Sequence, residues 1–277
     1  MNMMRFTTMK TKLRKYPSIF LILLLAISSC FLTGCVNQHP KDSKKSSQGE
    51  SVETMLEITD PKEKQAVLNA KAKVKALSGN PRIVATSPAV ADICDKLDLD
   101  LVGVPKSSVS KIPSRYKKVK KVGLAMSPDM EIVSSLNPDW ILAPSSLETD
   151  LKPKFEELKN TEYAFLNLRS VQGMYRSVQE LGEIFGKQQE AEKMTKEFTT
   201  FYKSYTKRNK NKKHPKALVL MGLPGSYVIA TENSYVGNLV KLAGGENVYQ
   251  NTNQEFLTVN TEDMKKKEPD IIVRAAH

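Results

Sequence analysis

The chain has 277 residues, of which 40% are apolar and 26% charged, and its formal net charge is +12. This length is sufficient for two domains of ordinary size, and the composition is that of a globular protein. Residues 1–15 carry five positive charges and no acidic residue, so the rest of the chain carries 12 − 5 = +7. Its lysines are spread along polar helix faces and no nucleic-acid-binding module is recognisable. The spread of the lysines and the lack of such a module argue against nucleic-acid binding. The positive charge then suits a surface that meets an anionic envelope or an anionic ligand.

Residues 1–35 have the layout of a lipoprotein signal peptide. A basic start precedes the apolar run 19–27, which is too short for an ordinary membrane-spanning helix. The sequence Leu32-Thr33-Gly34-Cys35 then resembles a lipobox, in which Cys35 receives the lipid. A plain secretory signal with an incidental cysteine is the alternative. Residues 36–59 are polar and suit a flexible tether, so we predict lipid anchoring at the extracellular face of a bacterial cell membrane.

Residues 60–170 predict an N-terminal α/β lobe with a leading helix that begins at Asp60-Pro61. A strand, 82–85, is followed by Ser87-Pro88, which suits the start of a helix. A helix N-terminus at the end of a strand is a ready anion site, although the Ser87 hydroxyl could serve only as a cap. Ser107 and Ser108 follow the next strand and belong to the same edge of the predicted sheet.

One motif is written twice. Glu131 is followed seven residues later by Pro138-Asp139 and an apolar run, and Glu262 is followed in the same way by Pro269-Asp270. Each copy predicts a short helix that ends before proline and then a strand suited to a parallel sheet. Two copies indicate two similar α/β lobes.

The two copies differ in the residues beside them. Met126 precedes the first copy, and His277 ends the second. A thioether and an imidazole, one from each lobe, are a candidate pair of ligands for something held between the lobes. The alternative is that Met126 is an ordinary core residue, as methionine usually is.

Residues 171–212 predict the helical link between the lobes, because their apolar residues recur at spacings of three and four. Gly182 and Gly186 weaken this pattern, so the link could be two helices. Residues 213–277 predict a partial C-terminal lobe, apparently truncated, because a parallel sheet needs helices on both faces. Cys94 lies in an apolar helix pattern and is predicted to be a small buried residue without a disulfide partner.

The sequence gives little support for an enzyme. It contains no Gly-rich phosphate loop, no GxSxG and no HExxH, and only three histidines. A thioether with an imidazole suits haem iron better than a bare hard cation.

Four segments carry a family resemblance: PRIVATSPA, GLAMSPDME, KALVLMGLPGSYVIATENSYVGNLVKLAGGENV and PDIIVRAAH. They resemble the haem-receptor lipoproteins of Gram-positive iron-regulated surface uptake systems, of the IsdE type. The wider family consists of helical-backbone substrate-binding proteins for siderophores, cobalamin and haem. The resemblance implies two Rossmann-like α/β lobes joined by a long helix, with haem b as the transported ligand in the cleft. It also implies a monomer that serves an ABC permease and its ATPase and that receives haem from surface relay proteins.

The resemblance also implies roles for individual residues. Met126 and His277 match the axial ligands of the haem iron, and Glu131 and Glu262 match the residues that dock on the permease. The propionate contacts match Ser87, Pro88, Ala89, Ser107 and Ser108. A ferric siderophore or cobalamin receptor of the same fold is the alternative, and an adhesion lipoprotein without a small ligand is a third hypothesis.

Overall fold

The computed structural model describes residues 52–223 and 225–275. The signal peptide, the lipobox at Cys35, the tether up to residue 51 and His277 lie outside the described residues.

The first half of the chain alternates strands and helices around a five-stranded sheet. Its helices are α1 (Val52–Leu56), α2 (Pro61–Lys75), α3 (Pro88–Lys96), α4 (Met130–Ser135) and α5 (Glu148–Glu156). Its strands are β1 (Ile83–Ala85), β2 (Leu101–Val104), β3 (Lys120–Lys121), β4 (Gly123–Leu124), β5 (Ser127–Pro128), β6 (Trp140–Pro144) and β7 (Glu162–Leu166). The sheet has the order β3-β2-β1-β6-β7, and every pair in it is parallel.

The central strands alternate between two apolar layers, as the period of two in a strand requires. Trp140 and Leu142 of β6 join one cluster, whereas Ile141 and Ala143 join the other. Helices α2 and α3 pack in the first cluster, and α4 and α5 pack in the second. Cover on both faces is typical of a doubly wound parallel sheet. The α/β fold class predicted from the sequence is confirmed.

The link consists of two helices, α6 (Val171–Phe185) and α7 (Gln188–Asn209). They separate at Gly186, whose φ of 71° lies in the left-handed region that favours glycine at a helix end. The two-helix alternative, based on the glycines, is therefore the one observed.

The second half forms a mixed sheet. Its strands are β8 (Lys216–Leu223), β9 (Ser226–Ala230), β10 (Glu246–Asn247), β11 (Phe256–Thr258) and β12 (Ile271–Ala275), and its helices are α8 (Tyr235–Leu242) and α9 (Thr261–Lys266). Strands β10 and β12 run parallel to β8, whereas β9 is antiparallel to both β8 and β11. The pattern of apolar runs in the sequence does not predict the antiparallel pairs.

The repeated motif has the same backbone structure in both halves. The Asp139 carboxylate accepts from the Arg82 N–H (2.7 Å), next to β1, and the Asp270 carboxylate accepts from the Lys216 N–H (2.8 Å), at the start of β8. In return, the Asp139 N–H donates to the Arg82 carbonyl and the Asp270 N–H donates to the Lys216 carbonyl, both at 2.9 Å. The aspartate of each copy thus fixes the register between two neighbouring parallel strands.

Candidate ligand-binding site

The start of α3 is the first predicted part of the site. Ser87 is the N-cap, and its hydroxyl oxygen accepts from the Val90 N–H at 3.2 Å. Ser87 is buried, Pro88 is half-buried and Ala89 is exposed. The capping role of Ser87 is therefore observed, and the surface that α3 offers to a ligand is formed by Pro88 and Ala89.

The loop after β2 is the second part. Ser107 accepts from the Ser110 N–H at 3.0 Å, which closes a local turn, and Ser108 is exposed. Lys106, which precedes them, is not among the site residues predicted from the sequence. Its side chain is exposed, and its N–H donates to the Gly123 carbonyl at 2.7 Å. This bond connects the loop to the hairpin β4–β5, which follows β3 in the chain.

Met126 lies in the two-residue turn of that hairpin, after Ala125. Its side chain is 73% exposed and that of Leu124 is 58% exposed, so the interpretation of Met126 as a core residue is wrong. Gly123 makes the hairpin possible, because its φ is 96° and a Cβ there would lie 2.9 Å from the Asp129 nitrogen. Two exposed apolar side chains on a short hairpin are unfavourable in water unless something covers them.

The topology brings these three parts to one edge of the sheet. Strands β1, β2 and β3 are neighbours and parallel, so the segments that follow them emerge at the same edge. The edge combines a helix N-terminus at Ala89, hydroxyls and a lysine in the loop 106–108, and the thioether of Met126. It can receive a ligand that has both an anionic group and a large apolar surface.

The second sheet also presents apolar side chains at the end of its longest strand. Leu223, opposite Ser226, and Tyr227, opposite Gly222, lie in adjacent cross-strand pairs of the β8–β9 hairpin and are 41% and 46% exposed. Neither residue is among the site residues predicted from the sequence. The available signal is the Gly/Pro-rich segment 222–227, which contains both residues and is typical of an exposed turn.

Glu131 and Glu262 occupy the same position in two short helices. Each is the second residue of its helix, after the N-caps Asp129 and Asn260, and each is exposed. An acidic residue in the first turn favours the helix by itself, because it meets the positive end of the helix dipole. Neither carboxylate makes an ion pair within the described residues, so both are available to a partner.

Other chemistry is sparse in the part of the chain that the structure describes. Burial raises the pKa of the Cys94 thiol to about 12, so this cysteine is an unreactive core residue, as predicted. Among residues 52–223 and 225–275, no group of three or more His, Cys, Asp or Glu side chains is placed to hold a metal ion. Within the same ranges, no helix is both long enough and apolar enough to cross a bilayer.

The fold is that of an α/β binding protein, with polar and apolar side chains together at one edge of its first sheet. The family model for periplasmic binding proteins matches residues 83–277. The high-affinity heme uptake system protein IsdE of Staphylococcus aureus is 40% identical over 201 residues, which is 72% of this chain and 68% of that protein. The chain belongs to the periplasmic binding protein family and, within it, to the group that contains IsdE, which confirms the resemblance.

Solved structures agree with this assignment. An ABC transporter substrate-binding protein from Listeria monocytogenes is 46% identical, with a TM-score of 0.67 over 72% of this chain and 76% of that one. The S. aureus IsdE complex with heme is 40% identical, with a TM-score of 0.66 over 72% and 77% of the two chains. A vitamin B12 binding protein of Vibrio cholerae, 16% identical over 70% and 76% of the two chains with a TM-score of 0.60, shares the fold alone.

Proposed function

We propose that this protein captures haem b and delivers it to the permease of an ATP-driven importer. The relatives that show its family are a heme uptake protein and an ABC transporter substrate-binding protein, and neither name describes an enzyme. The observation that carries the proposal is the exposed Met126 thioether on an apolar hairpin, at the same sheet edge as Ala89 and Ser108. Haem has the matching chemistry, since it combines an iron that accepts thioether ligands with an apolar ring and two propionates.

In this proposal Met126 and His277 are the axial ligands of the haem iron. Because the Met126 thioether is already exposed in a turn, it can bind the iron without a change in the packing of the core. A buried methionine would have to leave its packing first. The experiment is a visible absorption spectrum of the purified 277-residue chain titrated with haem. Met126→Leu preserves most of the apolar volume and removes the sulfur, and Met130→Leu makes the same change at a half-buried neighbour.

We expect the low-spin spectrum to change in Met126→Leu and to persist in Met130→Leu. His277→Ala should weaken haem binding, by on the order of tenfold or more for a lost metal ligand. If the spectrum of Met126→Leu equals that of the unmodified chain, the methionine assignment is wrong. If the unmodified chain does not bind haem, the proposed function is wrong.

The propionates are assigned to Ser87, Pro88, Ala89, Ser107 and Ser108. Because the Ser87 oxygen already accepts from Val90, its remaining contribution is its O–H as a donor, beside the backbone of Pro88 and Ala89. Lys106 would add the positive charge that this set otherwise lacks.

Glu131 and Glu262 are assigned to docking on the permease. Their equivalent positions in the two halves suit a partner with two similar contact points, and charges of this kind orient and accelerate docking. We expect the double variant Glu131→Gln, Glu262→Gln to bind haem as tightly as the unmodified chain but to reduce haem uptake by cells at least tenfold. Glu157→Gln, an exposed glutamate next to α5, is the control and should leave uptake unchanged. Normal uptake by the double variant would contradict the assignment.

The lipid anchor at Cys35, the position at the extracellular face of the cell membrane, the monomeric state and the acceptance of haem from surface relay proteins belong to the same proposal. A siderophore-binding protein and the vitamin B12 binding protein of Vibrio cholerae are 22% and 16% identical to this chain and support the fold alone. A competition titration of haem against ferric siderophores and cobalamin distinguishes that alternative.

A further inference from the structure

Residues 101–128 contain six lysines and no aspartate or glutamate. All six side chains are exposed. We call this set the lysine strip: Lys106, Lys111, Lys117, Lys118, Lys120 and Lys121. In a chain with 30 acidic residues, so long a segment of one sign creates a local positive potential that neighbouring acids in the sequence do not cancel.

The strip follows β3, the outermost strand on one side of the first sheet. Lys117 and Lys118 precede β3, and Lys120 and Lys121 form β3, which pairs only with β2 in this sheet. The backbone pairing then continues from the Val122 N–H to the Val104 carbonyl at 2.9 Å, and from the Lys106 N–H to Gly123. The strip therefore ends beside the hairpin that carries Met126.

Two acids just before β2, Asp98 and Asp100, are already paired with cations that do not belong to the strip. Arg115 binds the Asp98 and Asp100 carboxylates, both at 2.8 Å, and Lys187 binds Asp98 at 2.9 Å. In contrast, none of the six strip lysines makes an ion pair within the described ranges. Their charge is therefore directed to the solvent.

Protection of the sheet edge explains only part of this pattern. Lysine on an edge strand prevents pairing with other chains, which accounts for Lys120 and Lys121. It does not account for Lys106 and Lys111, which lie in the loop after β2, or for the absence of acids throughout the segment.

We infer that the lysine strip steers a dianionic ligand along the outer edge of the first sheet to the Met126 hairpin. This inference rests on the proposed function, because haem with its two propionates is the dianion in question. A surface of one sign raises the association rate of an oppositely charged ligand by tenfold or more, and the effect declines as salt screens it. The strip would act on the association rate and leave the dissociation rate unchanged.

The test is stopped-flow haem binding to the 277-residue chain in a non-ionic detergent. The steering variant is Lys117→Gln, Lys118→Gln, Lys120→Gln, Lys121→Gln, which leaves Lys106 in place. The matched control is Lys207→Gln, Arg208→Gln, Lys210→Gln, Lys212→Gln. It removes the same charge from exposed cations around the end of α7, which precedes the start of β8.

At about 0.01 M ionic strength, where the Debye length is about 30 Å, we expect the steering variant to bind haem about three- to tenfold more slowly. The control variant should bind at the rate of the unmodified chain. At about 1 M, where the Debye length is about 3 Å, all three rates should converge. Haem with both propionates methylated should bind the steering variant and the unmodified chain equally fast.

Equal association rates of the two variants at low salt would overturn the inference and leave the proposed function intact. Loss of binding to phosphatidylglycerol vesicles in the steering variant, with unchanged haem association, would show that the strip contacts lipid instead. An unmodified chain that binds no haem would overturn the inference together with the proposed function.

Discussion

Glu63 and Glu180 are two carboxyl groups buried against each other where α2 packs on α6, with 6% and 1% of their surfaces exposed. Burial raises the pKa of Glu180 to about 9, and the hydrogen bond and like charge of Glu63 act in the same direction. Arg176, also on α6, opposes this shift and donates to the Met55 carbonyl of α1 at 2.7 Å. The pair therefore retains a proton in the folded protein at neutral pH.

This proton makes stability depend on pH. Because the folded pKa of Glu180 lies above its ordinary value of 4.5, the folded state binds an extra proton between these two values. Its contribution to the free energy of unfolding is complete below about 4.5 and is lost as pH rises towards about 9. Glu180→Gln should remove this loss, with a gain at pH 8 of at least about 1.4 kcal/mol, the equivalent of one pKa unit.

Urea unfolding between pH 5 and pH 9 measures the effect. The control is Glu183→Gln, one turn along α6. Hydrogen bonds from Lys71 and then Gln188 lower the pKa of Glu183, so its carboxylate stabilises the fold at higher pH and its substitution should give no gain there. If the free energy of unfolding of Glu180→Gln changed with pH in parallel with that of the unmodified chain, the retained proton on this pair would be contradicted.

The repeated Glu–Pro–Asp segments form the same helix, turn and strand in both halves, down to the backbone angle before proline. Asn137 and Glu268 occupy this position, with φ values of 43° and 44°. Asparagine tolerates this left-handed conformation, whereas glutamate is strained in it by about 1 kcal/mol.

Glu268→Asn should therefore raise the free energy of unfolding by about 0.5–1 kcal/mol, because it places in the second half the residue type used in the first. Thermal and urea unfolding measure the change. Glu246→Asn, an exposed substitution in β10, tests whether loss of a negative charge alone is sufficient. Equal effects of the two substitutions would attribute the gain to charge.

These segments could be predicted from the sequence because proline, aspartate and an apolar run are local signals. The hairpin at Met126 could not, since β4 and β5 have two residues each and show no period; Gly123 was its only local signal. The exposure of Met126 contradicts the usual preference of methionine for the core, and it depends on where the sheet places the hairpin. Similarly, the Ser-Pro pattern predicted the cap at Ser87, whereas the proximity of Lys106 to Gly123 required the tertiary pairing of β2 and β3.

The two halves meet through polar contacts beside α6. The Val171 N–H, at the first residue of α6, donates to the Asn238 side chain of α8 at 2.9 Å, and Arg169 forms an ion pair with Glu255. The first N–H groups of a helix have no partner within it, so α6 depends on the second half for one of them. Neither contact could be predicted from the sequence, because each joins residues far apart in the chain.

Asn238→Ala should lower the free energy of unfolding by about 1 kcal/mol and speed hydrogen exchange at the Val171 amide. Amide exchange followed by NMR measures this directly. Asn253→Ala is the control, because Asn253 and Asn238 line one polar groove of about 540 Å³ and Asn253 is exposed there. Unchanged exchange at Val171 in Asn238→Ala would show that the bond contributes nothing to the start of α6.

The larger apolar cluster has a consequence for the newly made chain. All strands of the first sheet lie between residues 83 and 166, so the sheet can assemble before the second half of the chain folds. One of its faces, with Ile83, Trp140 and Leu142, is completed only by Leu181 and Ile184 of α6 and by Ala191 of α7. Until α6 and α7 have packed on this face, the folding chain exposes a large apolar surface, and in that interval it is most prone to aggregate.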